Sequence, residues 1–139
     1  MGTVIRPEIT TKNKYWIDRH RYYELKHFCL QYPAWKKAYL AIDGLSKAPS
    51  DFAMVSKTNT GSDPTARCVI AKSFYHERMD MLERIARETD PDLASYILRA
   101  VTEELSYPYL KVRLGIPCSK DTYYDRYRKF FWLLNKERA

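Results

Sequence analysis

Two Asp-Pro dipeptides, Asp63-Pro64 and Asp90-Pro91, stand 27 residues apart in the chain. Each supplies the chemistry of a helix start. The aspartate side chain accepts orphan amide protons as an N-cap, and proline at the first helical position has a fitting φ and no donor to lose. The first predicts a helix through to about Glu88, with Ala66, Ile70, Phe74, Met81 and Ile85 marking one face. The second predicts a helix to about Leu105, with Leu93, Ile97, Ala100 and Val101 inward. Starts so placed imply two packed helices joined by a short turn.

The remainder of the chain follows the same logic. Residues 1–13 are polar with a proline and read as a loose arm. Lys14 to Gln31 is dense in Tyr, Trp, Leu and Phe without a Gly or Pro, and reads as a helix. Pro33 suits the first turn of a new helix or a kink, and Trp35, Ala38, Tyr39 and Ile42 then recur at helical spacing until Asp43-Gly44 ends it. Leu45 to Ser62 holds Ser, Pro, Thr, Asn and Gly, and reads as a linker with a brief ordered stretch at Asp51–Ser56. No strand pattern occurs. The expected fold is all-α: a helical arm or subdomain with its linker over residues 1–60, then a helical domain over 61–139.

At 139 residues the chain suits one domain, or one domain with an appended arm, and can bury a core without disulfides or metals. Its net charge of +7 is unevenly placed. Residues 1–47 hold nine Lys/Arg against four Asp/Glu, 48–118 nine against ten, and 119–139 six against three. Basic ends around a neutral middle fit a polyanion partner, although ordinary solubility accounts for net charge alone. Cys29, Cys68 and Cys118 are odd in number and far apart, the pattern of reduced thiols in a cytosolic protein. With no apolar run near the ~20 residues of a membrane span and no signal-peptide pattern, the expectation is a soluble, cytoplasmic protein.

The C-terminal residues carry the functional signal. Tyr107 to Leu114 predicts a short helix with Pro108 in its first turn and Gly115 closing it in the left-handed conformation. Ser119 then caps a basic, aromatic helix, its side chain placed to reach the amide of Asp121 or Thr122. This is the outline of a helix-turn-helix. On a helical wheel Tyr123, Tyr127, Phe130 and Leu134 face the core, while Lys120, Asp121, Tyr124, Asp125 and Arg128 fall mostly on the other side. The candidate DNA-binding residues are Lys120, Asp121, Thr122, Tyr124, Arg126, Arg128 and Lys129. Lys120 and Tyr124 are placed for base edges; Thr122, Arg126, Arg128 and Lys129 suit phosphates. Lys111 stands four residues before Gly115, where a small residue is usual, and the Gly115–Ser119 connector is longer than the compact Gly-Ile-Ser form.

Gly61-Ser62-Asp63-Pro64-Thr65 leading a long helix, and Ser119-Lys120-Asp121-Thr122-Tyr123-Tyr124 followed by Arg126 and Arg128, carry a resemblance. Residues 61–134 resemble the small phage and prophage transcriptional regulators of the ArpU and RinA kind, which are similar in pattern to the promoter-reading fourth region of sigma factors. The resemblance implies a helical N-terminal part, a C-terminal helix-turn-helix and a role in switching on phage genes. The block Phe130-Phe131-Trp132 is heavier in aromatics than that pattern requires. Residues 1–60 carry no such resemblance.

Other chemistries find little footing. His20, His27 and His76 lack partners at metal spacing, and His76-Glu77 lacks the second histidine of a zinc-protease helix. Cys29 beside His27 reads as a packed thiol rather than a nucleophile. With four glycines there is no phosphate-cradling loop, so neither an enzyme, a cofactor nor a metal is expected. The leading expectation is a sequence-specific, duplex-DNA-binding transcriptional regulator of phage or mobile-element origin, with RNA polymerase or another protein as a further partner. A protein-interaction module inhibiting a host nucleoprotein machine, in the anti-CRISPR manner, and a small subunit of a DNA-packaging machine are the alternatives. Trp132 falls on the outer side of the last helix, open to packing on residues 14–44 or on a second subunit. A homodimer seam there would address half-sites about one DNA turn apart.

Overall fold

The computed structural model describes residues 13–45 and 64–138, and every described element is helical. In chain order these are α1 (Arg19–Leu30), α2 (Tyr32–Leu45), α3 (Pro64–Thr89), α4 (Ala94–Glu103), α5 (Tyr107–Tyr109) and α6 (Lys120–Glu137). The α5 turn widens directly into a π-helical turn, Leu110–Leu114. The all-α expectation holds. The linker expected over residues 45–62 lies outside the described residues except for Leu45, as does the Asp63 cap.

The chain divides into two compact units, residues 32–80 and the remainder on either side. In the larger unit, α1 packs on α4 and on α6, and α4 packs on α6 and on the π-helical turn. Elements from both sides of the expected 60/61 division therefore share one core.

Local chemistry explains where α1 begins. Asn13 holds a turn through its side chain and carbonyl, Ile17 is buried, and the Asp18 carboxylate accepts the His20 amide at 3.0 Å. The helix thus starts at Arg19, five residues later than its apolar composition alone predicts from Lys14. Tyr22, Leu25, Phe28 and Cys29 form its buried side. The inward residues expected of α4, from Leu93 to Val101, are buried as well. Asp90 organises the turn before α4 by accepting the amides of Asp92 and Leu93, and the regular helix begins at Ala94.

The core is aromatic. Tyr22 packs edge-on against Phe131 at 5.1 Å between ring centroids, and its hydroxyl shares a 2.7 Å hydrogen bond with that of Tyr127. Tyr123, Phe130 and Leu134 are buried as the wheel predicts, and Tyr127 is half-buried. Phe131, which the wheel left unassigned, is fully buried. The C-terminal half of α6 is pinned by charge and ring contacts. Arg84 meets Glu137 at 3.0 Å, Arg21 bonds Asn135 at 2.7 Å, and Arg138 lies over the Phe28 ring. Trp132 packs within the chain, edge-on to Tyr15 at 5.4 Å with Lys136 over its ring.

In the smaller unit, Trp35 and Ile42 of α2 are buried, and the Tyr39 ring meets His76 and Lys72 of α3. Helix α2 runs through Gly44 to Leu45 rather than stopping at Asp43-Gly44. The face expected along α3 divides: Ile85 is buried, whereas Ala66, Ile70 and Phe74 are exposed.

Candidate nucleic-acid interface

Three helices meet in sequence at the C-terminal end: α4, α5 with its π-helical turn, and α6. Glu104 ends α4 in the left-handed region with φ 57°, and the Leu105 amide returns to the Ala100 carbonyl. Ser106 caps α5, its hydroxyl accepting the Tyr109 amide at 3.4 Å, with Pro108 in the first turn. The segment closes at Gly115, φ 67°, as its sequence predicts. The Ile116 amide reaches back to the Leu110 carbonyl at 3.1 Å, and both side chains are fully buried. A wider turn carries an extra residue in the helix and so alters which side chains it turns outward.

The connector is held from below and capped from above. The Tyr107 hydroxyl donates to the Cys118 carbonyl at 2.7 Å. The Ser119 hydroxyl accepts the Thr122 amide at 3.2 Å and pairs with the Thr122 hydroxyl at 3.0 Å, so the expected cap forms. Asp121 adds a negative charge to the positive end of α6.

The predicted contact residues divide by what already holds them. Lys120 and Asp121 are exposed on the first turn. Lys120 Nζ lies 5.8 Å from the centroid of the Tyr124 ring. That ring packs against Tyr107 and Tyr123, and the Tyr124 hydroxyl is buried without a hydrogen-bond partner. Tyr124 therefore backs the first turn in this arrangement; its hydroxyl is not displayed outward. The Thr122 hydroxyl is engaged by Ser119.

Arg126 is held by carboxylates. Its Nε bonds Asp90 at 2.9 Å, and its Nη1 bonds Asp125. Burial alone pushes the Asp90 carboxyl up, but Arg126 and the amides of Asp92 and Leu93 outweigh it and hold Asp90 below its ordinary 3.8. The reciprocal bond raises the Arg126 guanidinium above its ordinary value despite opposing desolvation. Arg128 and Lys129 are half-buried and form no ion pair with a described residue.

Side chains before the turn extend this surface beyond the seven expected residues. Lys111 and Arg113 are exposed, as are Tyr109 at 42% and Val112 at 80%. So few residues define no outward periodicity, and the π-helical turn shifts whatever face they have. From Tyr107 to Lys129 there are six Lys/Arg and two Asp, a net of +4. Five of those six cations have no ion-pair partner among the described residues; Arg126 is the exception.

Other chemistry is sparse. Cys29 is fully buried, and burial pushes its thiol far above the ordinary range, with Arg138 pulling weakly the other way. Burial also raises the half-buried Cys118 thiol. Among the described residues, no three His, Cys, Asp or Glu side chains gather as a metal site, and no helix is long and apolar enough to cross a membrane. Set against models of known protein families, curated proteins and solved structures, the chain matches none.

Proposed function

We infer that the chain is a sequence-specific, duplex-DNA-binding transcriptional regulator of phage or mobile-element origin. In this reading α5 with its π-helical turn is the supporting helix and α6 the recognition helix of a helix-turn-helix, and the first turns of α6 enter the major groove. The observation that carries it is a set of cations with no ion-pair partner among the described residues, Lys111, Arg113, Lys120, Arg128 and Lys129, around a capped helix start. Cations without carboxylate partners are available to phosphates, and their contacts supply affinity without sequence choice.

The side-chain environment sharpens the roles. Lys120 and Asp121, exposed on the first turn, suit base edges: lysine donates to guanine O6 and N7, and aspartate accepts from cytosine N4. Arg128, Lys129, Lys111 and Arg113 suit phosphates. Arg126 acts chiefly as a strut between Asp90 and Asp125, because engaging a phosphate would strip two carboxylates of their partner. Tyr124 supports Lys120. Incubating the full chain with a pool of random duplexes, and sequencing what it retains, tests this directly. Enrichment of one motif is expected. A chain that retains no duplex and instead purifies with a stable protein partner contradicts it.

A further inference from the structure

Among the described residues, no element packs over one face of α3 towards its N-terminal end. Arg67, Ile70, Phe74 and Glu77 recur at spacings of three, four and three residues, which aligns them along one side of the helix. Helix α2 meets α3 elsewhere, at Lys72 and His76, and His76 lies about 200° around the helix from Phe74. Ile70 is 69% exposed and Phe74 44%. Arg67, Ile70, Ala71, Phe74 and Tyr75 line an open cleft. Arg67 Nη1 is withdrawn from solvent without a hydrogen-bond partner. Neither Arg67 nor Glu77 forms an ion pair with a described residue.

The geometry points to a second copy of this chain as the occupant, bound by antiparallel pairing of two α3 helices about a two-fold axis at position 72. Such an axis sets each residue against the one equally far beyond the centre. Ile70 therefore meets Phe74 of the second copy, and Arg67 meets Glu77 of the second copy, each pair occurring twice. The apolar pairs lie inside, with the Arg78 guanidinium stacked over each Phe74 ring at 3.5 Å, and the Arg67–Glu77 pairs flank them. A parallel arrangement sets Arg67 against Arg67 and Glu77 against Glu77, so the charges select the antiparallel one. Spacings of three and four give the knobs of a helix–helix seam. From Arg67 to Glu77 the seam is only ~15 Å long, short of what a permanent interface buries, so the association is weak and concentration-dependent.

The test uses the full chain, by sedimentation over a concentration series, for the wild type, Arg67→Glu, Glu77→Arg and the double reversal, with circular dichroism confirming the helix content of each. The wild type is expected to self-associate, and each single reversal, which sets like charges together twice, to weaken association about tenfold. The double reversal restores it. A wild type that stays monomeric, its face taken by its own chain or by a different partner, overturns the proposal. So does association that single reversals leave untouched, or that the double reversal fails to recover. None of these outcomes depends on DNA binding, so this proposal and the functional reading stand or fall separately.

Discussion

Tyr124 carries a hydroxyl buried without a partner, on the helix the functional reading relies upon most. A polar group so placed loses its hydration without gaining a bond. Tyr124→Phe is therefore expected to leave stability unchanged or raise it by up to about 1 kcal/mol in urea unfolding. Asp90 behaves oppositely, because its carboxylate serves Arg126 and two amides at once. Its folded-state pKa is depressed, so its contribution is present at neutral pH and lost as pH falls below 3.8 through the folded-state value. Asp90→Asn should cost about 1 kcal/mol at pH 7, a figure discounted because Arg126 is partly exposed, and the cost should shrink progressively as pH falls below 3.8. Phe131 shows why single positions escaped the sequence. A wheel finds one apolar stripe, but α6 packs on both α1 and α4, and two neighbours bury a wider arc than one stripe.

At the scale of elements, what was legible is what local chemistry decides. The Ser119 cap and the left-handed Gly115 were readable because the residues that make them sit within a few positions of the bonds they form. Gly115 gives the clearest element-level prediction, since an added Cβ meets nothing within 4 Å and only backbone strain remains. Gly115→Ala should cost about 1 kcal/mol by thermal unfolding while leaving the helix content intact. The α3 face was legible only in part. Its periodicity announces an apolar side, yet periodicity is silent about which neighbour covers it, and Ile70 and Phe74 remain exposed where Ile85 is buried. Trp132 is the converse case. It sits on the outer side of its own helix, and Tyr15, more than a hundred residues away, makes it an internal contact.

At the scale of the molecule, pairing between distant segments is the information a local pattern lacks. Helix α1 belongs by sequence to an N-terminal arm and by packing to α4 and α6. Arg21 of α1 bonds Asn135 and Arg84 of α3 pairs with Glu137, which holds the C-terminal half of α6 and leaves its first turns and the residues before Gly115 to form a basic surface. The surface was half legible: Lys120 and Asp121 lie exposed as expected, Arg126 and the Tyr124 hydroxyl are already engaged or buried, and Lys111 and Arg113 enter from a short helix whose π-helical turn shifts its outward face. The proposed function requires this surface to hold duplex DNA through cations that have no ion-pair partner among the described residues. The most direct measurement is the salt dependence of affinity for the best duplex retained from a random pool, for the wild type and for the Arg128→Ala/Lys129→Ala variant. Each phosphate contact contributes about 0.9 to the slope of log affinity against log salt, so the variant should bind more weakly and lose about 2 from the slope. An affinity that ignores salt, or a slope that the double substitution leaves unchanged, contradicts the claim.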